Sequence, residues 1–227
     1  MRSESKYVTW AWLTVAILFF ALGTQSAFAA IGTIVGSKHD FSATGPNVLY
    51  RGTDTQVCVY CHAPHSSTTT TPLWNHAITS STFTLYSSGT LNATMTQPAG
   101  VSKLCLSCHD GTVAIDNFGG VTNGSKTFSP GDSALVGTDL SNDHPIGFAY
   151  NAALVSLDPG LADPVATQVT IGTGNSGTIE TKLLIGGQLE CASCHDVHNS
   201  TSGTAVEAKL LRITNAGSAL CIACHKK

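Results

Sequence analysis

The chain has 227 residues, only 11% of them charged, and a formal net charge of -3 at pH 7. This balance gives no basic surface of the kind that binds nucleic acid, so we expect no nucleic-acid partner. Aromatic residues make up 7% of the chain. That is a small supply of core-forming side chains, and we therefore expect another component to supply the core.

A targeting segment occupies residues 1–29. Arg2 and Lys6 precede an uncharged apolar run from Val8 to Leu22, and Ala27-Phe28-Ala29 then offers a small-x-small cleavage site. As a helix the apolar run would be about 22 Å long, which is short of the ~30 Å hydrocarbon core of a membrane. We therefore predict a cleaved signal peptide rather than a retained anchor, and a secreted mature domain at residues 30–227.

The first half of the mature chain carries two copies of one cysteine motif. Cys58-Val-Tyr-Cys61-His62 has the C-x-x-C-H spacing of covalent haem attachment. Two thiols three positions apart on one helical turn can reach the two vinyl groups of one porphyrin, and the adjacent histidine then points its imidazole at the iron. The second copy consists of Cys105, Cys108 and His109.

The stretch from Asp110 to Glu190 contains a single candidate ligand, His144, and is rich in Gly, Thr, Ser and Asn. Gln168-Val-Thr-Ile171 and Thr178-Ile179 flank a Gly-Asn-Ser-Gly turn, which predicts a small hairpin. We predict that this stretch makes protein–protein contacts. The alternative is a solvated loop.

The second half repeats the motif twice, and all eight cysteines of the chain are then used. These copies consist of Cys191, Cys194 and His195, and of Cys221, Cys224 and His225. Zinc ribbons do not explain a histidine after each C-x-x-C pair, structural disulfides leave the histidines equally unexplained, and thioredoxin-like redox pairs usually occur singly. We predict four c-type haems per chain, with His62, His109, His195 and His225 as proximal iron ligands.

Five other histidines are available for the sixth position of each iron. The single mature methionine, Met95, could serve at most one haem, so we predict bis-histidine ligation throughout. A lone histidine, then C-x-x-C-H-x-x-H, then Leu-C-x-x-C-H occurs twice, which divides the mature chain into dihaem halves at residues 30–125 and 126–227. This repeat predicts His39, His65, His144 and His198 as distal ligands and leaves out His76, which has no counterpart.

His65 and His198 each follow a proximal histidine by three positions, about one helical turn. Each therefore lies on the same side of its own haem as the proximal ligand and cannot bind the opposite face. We predict that both bind the iron of a neighbouring haem, which holds two haems near contact. The alternative is a surface histidine at a helix end.

We expect the large apolar porphyrins to form the core that the side chains do not supply. The predicted fold is accordingly mostly irregular, a coil with short helices at the motifs and little strand. The polypeptide of this multihaem cytochrome c would wrap around a stack of haems.

Four stretches resemble extracellular multihaem cytochromes of metal-reducing bacteria, of the outer-membrane cytochrome E type. They read Cys-His-Ala-Pro-His, Pro-Leu-Trp-Asn, Asp-His-Pro-Ile-Gly-Phe and Cys-His-Asp-Val-His-Asn. The resemblance covers essentially the whole mature chain. It implies a protomer that polymerises head to tail into a filament with a continuous row of haems, one of which takes its distal histidine from the adjacent protomer. His65 or His39 is the expected donor, and the C-terminal pair of haems the acceptor.

Two roles remain to be compared. A multihaem reductase needs an open iron position, whereas here all four motifs are complete and five histidines are available for four sixth positions. We therefore predict electron transfer and not an enzyme, with a soluble periplasmic shuttle or a reductase with one open haem as alternatives. Expected partners are other copies of the chain, other redox cytochromes and external acceptors such as metal oxides.

Overall fold

A computed structural model of the chain describes residues 34–65, 67, 73–172, 174–200 and 209–226. All of these belong to one compact unit, Gly32–Lys227. The predicted signal peptide at residues 1–29 lies outside the described residues. The division of the mature chain at residues 125 and 126 stays a prediction.

Short helices lie between long irregular segments. In chain order the helices are α1 (Gly100–His109), α2 (Ala152–Leu157), α3 (Ile179–Lys182), α4 (Cys191–Cys194) and α5 (Ala219–Ile222), with 3-10 turns at Cys58–Tyr60 and Ala216–Ser218. The Asn151 side chain caps α2 by accepting the Leu154 N–H at 3.0 Å, and Thr178 caps α3 in the same way.

Two small antiparallel sheets complete the regular structure of the described residues. β1 (Phe148–Ala149) pairs with β4 (Gln188–Leu189). β2 (Gln168–Ile171) pairs with β3 (Asn175–Thr178), with Gln168 opposite Thr178. The prediction of a mostly irregular fold with short helices and little strand is confirmed.

The β2–β3 hairpin was predicted, but its turn was misplaced. Residues of the predicted Gly-Asn-Ser-Gly turn form the second strand, whose first residue, Asn175, lies opposite Ile171. The connection between the strands instead contains Gly172 and Gly174, which have φ angles of 55° and 75°. Glycine adopts this left-handed backbone without the steric penalty of a Cβ, which favours the turn at these two positions.

Buried apolar side chains form three clusters. The largest consists of Phe148, Tyr150, Leu154, Ala162, Val169, Ile171, Ile179, Leu183, Leu184 and Leu189. Two smaller ones consist of Phe41, Tyr60, Ile115 and Phe128, and of Phe83, Leu106 and Leu140. The side chains thus supply more of the core than their composition led us to expect.

The largest cluster lies within the stretch from Asp110 to Glu190. The alternative that this stretch is a solvated loop is therefore wrong for residues 148–189. Burying an aliphatic side chain such as Ile179, which is 0% exposed, contributes about 1.5–3 kcal/mol. Contacts of this stretch with another protein stay a prediction.

Within the part of the chain that the structure describes, no helix has both the length and the apolar character needed to cross a membrane.

Candidate haem-binding sites

Each motif places its cysteines and histidine on one helical turn. The histidine amide donates to the carbonyl of the first cysteine in three of them, over 2.8 Å from His62 to Cys58, 3.1 Å from His195 to Cys191 and 3.0 Å from His225 to Cys221. The remaining motif lies inside α1, which ends at His109. The local backbone therefore has the form that attachment of one porphyrin through two thiols requires.

All eight cysteines carry free thiols. Burial raises the pKa of Cys61 and of Cys224 to about 11, so both stay protonated at neutral pH. Among the described residues, no group of three or more His, Cys, Asp or Glu side chains could hold a bare metal ion. The geometry supports thioether attachment better than a zinc ribbon, which needs four clustered thiolates or imidazoles.

Neighbouring motifs follow one another in space as they do in sequence. Besides burial, the charge of Cys61 raises the pKa of Cys108. A hydrogen bond with Cys191 raises the pKa of Cys105, and burial, followed by the nearby thiols Cys191 and Cys221, raises that of Cys194. Interactions of this kind require proximity, so the attachment points form a row in the order of the chain.

Three pairs of imidazole rings lie at nearly the same spacing, one nearly parallel, one tilted and one edge-on. Ring centres are separated by 6.0 Å between His39 and His109, 6.1 Å between His62 and His198, and 6.3 Å between His144 and His225. Two metal–imidazole bonds of about 2 Å each would place the ring centres about 6 Å apart, once the ring radii are included. The residues present thus fit an iron held between two histidines.

Each pair joins one predicted proximal histidine to one predicted distal histidine. The distal partner comes from a different part of the chain than the motif it faces. His198, three positions after one proximal ligand, faces His62 of the first motif rather than its own His195. This geometry supports the part of the prediction that takes His198 away from its own haem, and it directs His198 to the haem of the first motif.

Backbone carbonyls fix the orientation of several of these rings. The Nδ1–H group donates to Ala134 O in His109, at 2.7 Å, to Lys209 O in His195, at 2.8 Å, and to Pro145 O in His144, at 2.9 Å. The Nε2 atom is then the free nitrogen, as is usual in metal-binding histidines.

His39 and its partner His109 are both partly buried. Burial, with a smaller contribution from the adjacent His109, lowers the pKa of His39 to about 4. The ring is therefore neutral at physiological pH, which is the form that binds a metal. Its Nδ1 atom has no hydrogen-bond partner among the described residues.

His65 and His195 remain outside these pairs. Both are exposed, and among the described residues neither ring has an imidazole facing it at the spacing of the three pairs. The chain thus offers one proximal histidine without a distal partner of its own and one distal candidate without an iron of its own.

His76 is placed differently from the other histidines. It is 2% exposed, and its Nδ1 and Nε2 atoms lie 2.7 Å and 2.9 Å from the carbonyl oxygens of Ala77 and Ala114. Both nitrogens thus face backbone acceptors, which supports the prediction that His76 is not a distal ligand. Met95 packs against the largest apolar cluster.

Trp74 is a neighbour of the first motif that the sequence analysis did not assign. Its ring lies edge-on to His62, with centres 6.3 Å apart, and to His76, with centres 6.1 Å apart. Trp74 and His62 also form a β-bridge. The Pro-Leu-Trp-Asn stretch was singled out by resemblance, but only the folded chain shows that its tryptophan supports a proximal histidine.

One comparison with known proteins bears on the last two motifs. Residues 185–227 match the family model of the doubled CXXCH motif, which covers the third and fourth motifs. No curated protein matches the chain. The match indicates covalent binding of haem c and a multihaem c-type cytochrome that transfers electrons.

Proposed function

We propose that this chain carries four bis-histidine c-type haems and is the subunit of an extracellular filament that conducts electrons to external acceptors such as metal oxides. The observation that carries the proposal is the pairing of imidazoles. Three pairs are complete within one chain, while exposed His65 and exposed His195 each lack such a partner.

Haem supplies the one-electron chemistry when it is bound. The chain holds it through Cys58 and Cys61, Cys105 and Cys108, Cys191 and Cys194, and Cys221 and Cys224. Two histidines would hold each iron, both from one chain at three sites and from two chains at the fourth, which would leave no position for a substrate and favours conduction over catalysis.

A ligand donated between protomers follows from the two unpaired histidines. Of the two donors expected from the resemblance, His39 already faces His109 in its own chain, which leaves His65. His65 of one protomer would bind the iron held by His195 of the next. A contact between two different surfaces of the same chain makes an open helical assembly when its rotation does not close.

Export and partners complete the proposal. The positive, apolar and small-residue regions of residues 1–29 direct the chain out of the cytosol, and further redox cytochromes outside the membrane would pass electrons to it. The other partners are copies of the same chain.

Two measurements on the secreted material test the proposal. Intact-mass spectrometry is expected to show a polypeptide that starts near Ala30 and carries four haem masses. Electron microscopy is expected to show filaments for the wild type and dispersed protomers for His65→Ala. The matched control is His198→Ala, which alters the same position of the other C-x-x-C-H-x-x-H motif and should still give filaments. Dispersed wild-type protomers whose haems are all six-coordinate would leave a soluble shuttle.

The exposed His195 also favours a second candidate function, a reductase with one open haem. In that case the native material would show one high-spin ferric haem per chain in its electron paramagnetic resonance spectrum and would bind cyanide at that haem. If the chain is a filament subunit, the wild type would show no such haem, and His65→Ala would open the third haem.

A further inference from the structure

A buried carboxylate joins the helices of the second and third motifs. The Glu190 Oε2 atom accepts hydrogen bonds from the Ser102 amide, at 3.1 Å, and from the Ser102 hydroxyl. The same hydroxyl oxygen accepts a hydrogen bond from the Cys191 amide at 3.0 Å. Ser102 is 0% exposed and Glu190 is 7% exposed, so this joint between α1 and α4 lies inside the protein.

The joint lies beside two attachment thiols from different motifs. Cys105 follows Ser102 by one turn of α1, and Cys191 follows Glu190 directly. The two thiols are hydrogen-bonded to each other, which, together with burial, raises the pKa of Cys105; the negative charge of Glu190 adds to this rise. The carboxylate is therefore close enough to act electrostatically on both attachment points.

Helix capping alone does not require this charge. Ala99, at the N-terminus of α1, makes no side-chain capping bond, and Glu190 supplies the missing acceptor from the other helix. A neutral amide oxygen would accept the same two hydrogen bonds, whereas burying a charged carboxylate among neutral donors has a desolvation cost. Glu190 is also the N-cap residue of α4, and the positive N-terminal ends of α1 and α4 favour a charged carboxylate at this position.

We propose that the negative charge of Glu190 lowers the reduction potentials of both the second and the third haem. The ferric state of a haem carries one more positive charge than the ferrous state. A nearby negative charge in a medium of low dielectric constant stabilises the ferric state, and net charge is one of the factors that set haem potentials. The proposal rests on the haem occupancy of the proposed function.

The reduction potentials of the four haems would then differ along the row. The second and third haems lie in the interior of the row that the thiols define, and a shared charge makes both of them weaker electron acceptors than they would be without it. Electrons would then reside mainly on the first and fourth haems, at the two ends of the row.

The experiment is a redox titration of the holoprotein followed by electron paramagnetic resonance. Glu190→Gln keeps the acceptor oxygen and removes the charge, and two of the four haems are expected to shift to more positive potential. Glu190→Asp keeps the charge and should leave the potentials near those of the wild type. The matched control is Glu180→Gln, the same chemical change at an exposed position of α3.

Ser102→Ala is expected to shift the reduction potentials in the opposite direction to Glu190→Gln. It keeps the charge and removes one donor to it, so the same two haems are expected to shift to more negative potential. A purely structural joint would move the potentials in the same direction in Glu190→Gln and Ser102→Ala, or in neither, and either result would overturn the proposal. Haem masses are measured on the same samples: a wild type with fewer than four haems refutes the proposed function, whereas four haems with unshifted potentials refute only this inference.

Discussion

The imidazole rings of His62 and His198 lie nearly parallel, with their centres 6.1 Å apart and their planes inclined by 13°. One belongs to the first attachment motif and the other follows the third. If an iron lies between them, His198→Ala removes its sixth ligand and leaves the first haem five-coordinate. We expect a high-spin ferric signal from one haem per chain by electron paramagnetic resonance. A spectrum identical to that of the wild type would show that His198 binds no iron.

His76→Ala is expected to leave every haem low-spin but to weaken the fold. The side chain is buried and lies within hydrogen-bond distance of two backbone carbonyls. Burial lowers the pKa of His76 and keeps the ring neutral, so that it donates to one of the two carbonyls. Losing it leaves a cavity and one unsatisfied acceptor, which should lower the free energy of unfolding by about 2 kcal/mol. Denaturant titration measures the loss. A five-coordinate haem in this variant would instead make His76 a ligand.

Gly45→Ala should disturb the loop that carries His39. A Cβ at this position would overlap the backbone carbonyl of Asp40, the residue next to His39. We expect the loop to shift and the second haem to lose part of its low-spin signal. Gly89→Ala is the matched control, because a Cβ there meets no atom within 4 Å. Equal spectra for the two variants would contradict the argument.

Asp116→Asn tests how much a carboxylate with a lowered pKa contributes to the stability of the fold. Desolvation raises the pKa of Asp116, but hydrogen bonds from the Lys126 and Ser125 amides outweigh it and hold the pKa below its ordinary value of 3.8. The carboxylate therefore stabilises the fold above pH 3.8, and this contribution is lost as the pH falls through the lower folded value.

We expect Asp116→Asn to be less stable than the wild type by about 1 kcal/mol at pH 7. The difference should shrink as the pH falls below about 4. Thermal unfolding at a series of pH values measures it. A difference that is constant with pH would mean that the charge of Asp116 does not contribute.

The local chemistry of the sites could be predicted from the sequence because it depends on spacing. Two cysteines three positions apart with a histidine next to the second define a helical turn, and the structure has such a turn at Cys58–Tyr60, in α1, in α4 and at α5. The irregular character of the fold also followed from composition and from the expected haem core.

The pairing of ligands could not be predicted in this way. A repeat assigns a histidine to a class, but the partner that it faces depends on contacts between distant segments, as His62 and His198 show. The same limit explains why the Glu190–Ser102 joint was missed, since the local sequence around either residue does not predict a contact with the other. The hairpin turn was misplaced because two glycines before Asn175 outweighed the Asn-Ser-Gly signal.

The long separation in sequence between His62 and His198 also affects the order in which the protein folds. The first attachment motif is complete once residue 62 has been synthesised, but the ring that faces it belongs to a residue near the C-terminal end of the chain. Contacts of this kind form late, because closing a long loop costs conformational entropy before any contact repays it. If an iron lies between the two rings, a chain that ends before residue 198 would leave that iron without its second histidine, and the site would be completed only when the C-terminal part of the chain is present.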